Sequence, residues 1–331
     1  MKGKWKKRIW LTVTVLVLLP AGAAPRRAQA ATRGTLDLKV LRQIPWHGRR
    51  FQLAAGASVK VLVSSAYAAD TGTAQRWADF FASLVHGSEL SLLTAYVAPL
   101  DEVQQLCHGS DVLGCYQGNR LVTIGEPAFG VSPQSVAAHE YGHHVAYNRA
   151  NPPWAAIDWG TKRWATYENV CARTGAVTAF PGDEDLWYSL NPGEAFAESF
   201  RVMNGYGTDE WSVVDPSFRP DSTALSLLRE DVVDPWSPPP PRLIAGRFRG
   251  AKSWSLQITT PLDGDLVARV SPGADDVTLM SSDGRTLLAR GTWNTSGAKA
   301  LDYHVCGQRT VLVRVTRGAA PRRFTLRLSV P

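Results

Sequence analysis

The sequence is short of what a membrane-spanning or a disordered chain needs. Its apolar run near the start, Ile9 to Leu19, is eleven residues long and stops at Pro20, well under the roughly 20 that a spanning helix requires. Charged residues make up only 20% of the 331, against 44% apolar and 12 Trp, which excludes a chain that stays open. Acid is missing from the first thirty residues, where seven bases gather: Lys2, Lys4, Lys6, Lys7, Arg8, Arg26 and Arg27. Without that stretch the 36 Lys and Arg fall to 29, equal to the 29 Asp and Glu. The formal charge of +7 is therefore no warrant for a nucleic-acid partner. Cysteine is scarce too, at four residues.

Five positive charges in residues 1–8, the apolar run and the small-x-small Ala28-Gln29-Ala30 together read as a secretory signal peptide over residues 1–30. Cleavage is expected near Ala30/Ala31, giving a secreted extracellular protein with no stable membrane anchor. In an exported chain four cysteines suggest disulfides. Three connectivities are open. The nearest pairing joins Cys107 and Cys115 across the turn-rich HGSDVLG and leaves Cys171 with Cys306.

Composition breaks at Asp234-Pro235-Trp236-Ser237 and the four prolines Pro238 to Pro241, an extended spacer that continues neither a helix nor a central strand. The expected organisation is residues 31–234, a linker over 235–241, and residues 242–331. Before the break, Val59 to Val63, Leu92 to Val97 and Arg120 to Ile124 read as strands. Trp77, Phe80, Phe81 and Leu84 give Thr71 to Val85 a helical period with Gly87 as a stop. After it the period is two, in Trp254/Leu256/Ile258, Leu301/Tyr303/Val305, Val311/Val313/Val315 and Phe324/Leu326/Leu328. Asp263-Gly264 and Asp283-Gly284 sit where hairpin turns are needed. The expected fold is an α+β domain followed by a small all-β sandwich.

Residues 139–143 read His-Glu-Tyr-Gly-His. They follow Ser132-Pro133, an N-cap and first-turn proline, and on a helix His139 and His143 share one face. Two neutral imidazoles suit Zn²⁺, and a catalytic zinc site adds a third protein ligand and keeps one open position. Glu140 is placed as general base for a water whose pKa zinc lowers to about 7. His144 points elsewhere on the helix. The rival reading is a pair of surface histidines on an amphipathic helix.

The third ligand lies outside this helix. Ala146 and Arg149 stand where a metzincin needs Gly and His, which excludes that class. In the stretch from Asn191 to Phe200, Glu194 is the candidate ligand, and Glu198, one turn on, is placed to orient a ligand imidazole. Asn191-x-x-Glu194 is also a capping-box pattern, and Glu198, Asp183, Glu184 and Asp185 are reserve ligands. HEYGHH followed by NPGEAFAESFRVM resembles the gluzincin zinc metallopeptidases, most closely the catalytic core of anthrax lethal factor-type proteases, over residues 131–203. The resemblance implies a zincin-like domain with His139, His143 and Glu194 as ligands and Glu140 as base. It also implies a tyrosine that stabilises the oxyanion, for which Tyr188 is the nearest match, one residue closer than the family spacing; packing beside Trp187 is its alternative. The C-terminal part, through DGDL, HVCG and FTLRLSVP, is similar to bacterial pre-peptidase C-terminal domains.

The expected function is a secreted zinc endopeptidase acting on protein or peptide substrates, with cell-surface contact open to the C-terminal part. The competing class is a secreted metal-holding or surface-binding protein whose zinc is structural. Strand Arg120 to Ile124 is either a sheet edge that pairs with an extended peptide or an interior strand. Trp154, Trp159, Trp164 and Tyr167 either line a cleft or pack a helix face. Asn294-Thr295-Ser296 matches a glycosylation sequon. Asp263, Asp265, Asp275, Asp276 and Asp283 lack EF-hand spacing, and turn chemistry explains them.

Overall fold

The computed structural model describes residues 36–207, 214–271, 274–293, 299–307, 309–317 and 323–331. The expected signal peptide and the Asn294 sequon lie outside them. Among the described residues no helix is long and apolar enough to cross a membrane. The chain is α+β, with helices and several sheets.

The first part opens with α1 (Leu38–Gln43), β1 (Trp46–Gln52), β2 (Ser58–Ser64), α2 (Thr71–Ser83), β3 (Thr94–Ala98), α3 (Leu100–Leu106), β4 (Gly114–Gln117) and β5 (Arg120–Ile124). The strands form one sheet in the order β1-β2-β3-β5-β4. β2, β3 and β5 are parallel, while β1 and β4 close the two sides antiparallel. Alternation does the folding here: Val59, Val61 and Val63 of β2 are buried, as are Trp77, Ala78 and Phe81 of α2, all in one apolar cluster. α2 stops two residues before the expected Val85, because Leu84 turns extended and the Val85 N–H donates to Asn204 Oδ1 at 2.8 Å. The strand expected at Arg120 to Ile124 is β5, and it is interior; the edge on that side belongs to β4.

Then come α4 (Pro133–Tyr147), the short β6 (Ala150–Asn151) and β7 (Trp154–Ala155), α5 (Ala156–Trp159), α6 (Lys162–Tyr167), α7 (Val170–Gly175), α8 (Pro192–Met203) and α9 (Ser222–Val233). The aromatic run does not act as one face. Trp164 is fully buried edge-on against Phe196, Trp154 stacks on Trp159 at 4.5 Å, and the exposed Tyr167 donates its hydroxyl to Asp221 at 2.7 Å.

After α9 the chain has no regular structure until β8 (Arg242–Arg247). β9 (Ser253–Thr260), β10 (Gly264–Ser271), β11 (Ala274–Ser281), β12 (Leu287–Arg290), β13 (Thr292–Trp293), β14 (Lys299–Val305), β15 (Arg309–Arg317) and β16 (Arg323–Ser329) follow. They form two antiparallel sheets, β13-β14-β10-β16-β8 and β12-β11-β15-β9. The expected apolar positions of β14, β15 and β16, among them Leu301, Val313 and Leu326, point into one shared cluster. Asp283-Gly284 lies in the β11–β12 hairpin. Asp263-Gly264 does not make a hairpin, because β9 and β10 lie in different sheets; Asp263 accepts instead from the Gly307 N–H. Disulfides join Cys107 to Cys115 and Cys171 to Cys306, and the second ties α7 to the residue after β14.

Candidate metal centre

α4 and α8 touch where their side chains are smallest. A Cβ on Gly142 would stand 2.7 Å from Ala197 Cα, so only glycine lets the two backbones come this close. α4 starts at Ser132, whose hydroxyl accepts from the Ser135 N–H, with Pro133 in the first turn. Every residue from Ser135 to Ala146 is buried, as is every residue from Pro192 to Arg201 in α8. A helix hidden on all sides has no solvated face, which removes the surface-histidine reading of His139 and His143.

The crossing brings together one carboxylate and two imidazoles. Ligand atoms of His139, His143 and Glu194 all lie within 4.8 Å of one another, a group that could hold a metal ion. His139 Nε2 is 3.1 Å from Glu194 Oε2, and His143 Nε2 is 3.4 Å from Glu194 Oε1. Glu194 does not close a capping box. Asn191 Oδ1 accepts from the Gly193 N–H, and the Asn191 N–H goes to the Tyr188 carbonyl, leaving the glutamate turned to the imidazoles.

A second layer holds these groups in place. His139 Nδ1 is 3.1 Å from Glu198 Oε2. Arg201 grips that carboxylate with both arms, Nε to Oε2 at 2.9 Å and Nη2 to Oε1 at 2.6 Å, and its Nη1 reaches Ser135 Oγ on α4 at 3.2 Å. A carboxylate at Nδ1 fixes the proton there and leaves Nε2 as the electron-pair donor. The Tyr188 hydroxyl donates to Glu194 Oε2 at 2.7 Å; Trp187 turns the other way and stacks on Phe180.

Glu140 stands beside the triad. It is 1% exposed, and neither carboxylate oxygen has a hydrogen-bond partner, a costly state for a buried polar group. Burial pushes its carboxyl up to about 8; His139 opposes this, and Glu194 and Glu184 add to it. β4 runs past this side chain: a Cβ on Gly114 would lie 3.1 Å from Glu140 Cγ and 2.8 Å from Val136 Cγ1.

The electrostatics favour positive charge. Burial pulls the His139 imidazole down, but its hydrogen bonds to Glu194 and Glu198 and the charges of Glu194 and Glu140 win and raise it to about 10. Burial pushes Glu194 up, yet His143 and His139 hold it below the usual carboxylate range. Protons and a metal ion compete for the same ligand atoms. Two imidazoles, a carboxylate and an orphaned carboxylate beside them make a donor set that fits a divalent ion.

Of the reserve residues, Glu198 is brought to His139 Nδ1, whereas Asp183, Glu184 and Asp185 are not in the triad. Asp183 accepts from the backbone of Asp185 and Trp187, and Asp185 is exposed. Glu184 lies 3.3 Å from Asn191 Nδ2 and acts on Glu140 through its charge. His144 is buried away from the triad, its Nε2 at the Glu89 carbonyl and its Nδ1 at the Tyr116 hydroxyl. Sequence reasoning missed Arg201 and Gly114. The i, i+3 spacing from Glu198 was a signal for Arg201; a glycine 26 residues before Glu140 carries none. No protein-family model matches the chain, and no curated protein matches it.

Proposed function

We propose that the protein is an exported zinc-dependent endopeptidase of gluzincin type, with a zincin-like first part, an appended β-sandwich, and protein or peptide substrates. The observation that carries the reading is the buried His139, His143 and Glu194 group beside Glu140, whose carboxylate has no partner of its own. Those three residues would hold the metal, with Glu198 and Arg201 orienting His139. The paired cysteines agree with export, since such bonds persist in oxidising compartments.

Bound Zn²⁺ supplies Lewis acidity and brings the pKa of water down to about 7. Glu140 takes the proton of the attacking water at a carboxylate oxygen. It returns that proton to the amide nitrogen as the C–N bond breaks, so base and acid are one group. Its burial beside the imidazoles, with neither oxygen engaged elsewhere, suits that double role. Tyr188 is the phenol at the centre and the donor assigned to the carbonyl oxygen as charge develops there. The edge strand β4, against Glu140, is the strand on which an extended peptide would pair.

Exposure of at most 2% for His139, Glu140, His143 and Glu194 favours a second reading, in which the ion only braces α4 against α8. One substitution separates the two. Glu140→Gln should keep the metal and cut hydrolysis of a denatured protein by about 10²–10⁴-fold. Unchanged cleavage contradicts the mechanism, and metal retention with no cleavage by either form supports the structural role.

A further inference from the structure

Past the prolines the charge balance inverts. Residues 242–331 carry 14 Lys and Arg against six Asp and Glu, whereas residues 31–241 carry 15 against 23. A total near neutrality therefore hides a basic part joined to an acidic one, an asymmetry that points to an anionic partner for the basic part.

The excess is organised on the outer face of the five-stranded sheet. Arg269 on β10 stands directly opposite Arg327 on β16, and Arg323 on β16 stands directly opposite Arg247 on β8. All four are exposed. Among the described residues none of them has an ion-pair partner; the neighbouring bases that do, Arg290 and Lys299, serve Asp276. Like charges directly across a strand pair destabilise a sheet, so folding does not account for two such pairs side by side. The acids of this face, Asp265 and Asp302, lie toward β14, where Asp265 is engaged with His304.

We infer that this face docks on an anionic phospholipid surface. Neighbouring strands are about 4.8 Å apart and four residues along a strand span about 13 Å, so the four arginines share one patch of the face. Their planar forks match phosphate oxygens. Leu243, 71% exposed and directly opposite Arg327, adds an apolar side chain at the same surface. The outward positions of β8, β10 and β16 hold no aromatic ring on which bases could stack, and these strands lie inside a five-stranded sheet, not in a helix or a free two-stranded ribbon that could enter a duplex groove. This inference is independent of the metal.

Sedimentation of the full chain with vesicles tests it. Vesicles of phosphatidylcholine with about one quarter phosphatidylglycerol should bind it, pure phosphatidylcholine should not, and salt should weaken binding. Each Arg→Gln at 247, 269, 323 and 327 should weaken binding about five-fold, and all four together more than a hundredfold. The four-fold Arg→Lys variant should keep most of the binding. The Gln variant should melt no lower than the parent, since it removes like-charge pairs; if it unfolds, Arg327→Glu alone carries the test, with a loss of at least five-fold expected. Equal binding to pure phosphatidylcholine overturns the inference, as does undiminished binding by the substituted chains. Binding of duplex DNA or inorganic polyphosphate as tight as that of the vesicles overturns it in favour of a general polyanion site.

Discussion

Arg201 holds both oxygens of Glu198, and Glu198 faces Nδ1 of His139. In the proposed metal site, their influence on an ion would run through this chain of hydrogen bonds to the His139 ring. Glu198→Ala and Arg201→Met should each weaken zinc affinity about 10–100-fold in chelator competition. If Arg201 acts through Glu198, the double variant should lose no more than the worse single one; additive losses would mean separate roles. At this scale the sequence was informative where chemistry and spacing coincide. His139, Glu140 and His143 share a motif, and Glu194 and Glu198 share an i, i+4 relation. Arg201 was hidden because its role depends on Glu198 being buried beside α4, which only the packed fold decides.

The two helices that carry these residues meet through Gly142. Gly142→Val should force α4 off Ala197 at a cost of about 1–3 kcal/mol, lowering the melting temperature of the metal-free protein and weakening zinc binding together. An unchanged melting temperature would show that the crossing has slack. Elements with one strong local signal were legible: α4 from Ser132-Pro133, and β14 to β16 from their two-residue period. Signals shared between outcomes were not. Asp263-Gly264 has the composition of a hairpin turn but carries the chain from one sheet to the other, and β5 has an edge strand's sequence neighbourhood but gains β4 as an outer partner. The first outcome depends on pairings distant in sequence, β9 with β15 and β10 with β14; the second rests on a tight local hairpin, Gln117 opposite Arg120, that β4 makes without a strong period of its own.

Over the whole molecule, stability should carry the mark of Glu168, at the end of α6. Burial raises its carboxyl to about 7, against the pull of Arg173 and with the help of Asp221. An acid whose folded pKa lies above its unfolded value holds protons more tightly when folded, so stability falls as pH rises from about 4.5 to about 7. Glu168→Gln should therefore raise the melting temperature at pH about 8 and leave it nearly unchanged at pH about 4; an equal shift at both would assign the effect to packing. Cys171–Cys306 spans 135 residues, and in the chain-entropy model a loop of this size contributes on the order of 5 kcal/mol. Replacing both cysteines by serine should lower the melting temperature of the first and second parts alike, as followed by aromatic fluorescence and by proteolysis at the proline stretch.

The claim on which the account turns is that His139, His143 and Glu194 hold one divalent ion between α4 and α8. Zinc content of the full chain, measured after equilibration with zinc and exhaustive dialysis, tests it directly. The account predicts one ion per chain in the parent and in Glu140→Gln, and almost none in His143→Ala or Glu194→Ala. A metal-free parent, or full zinc retention after those ligand substitutions, would contradict it.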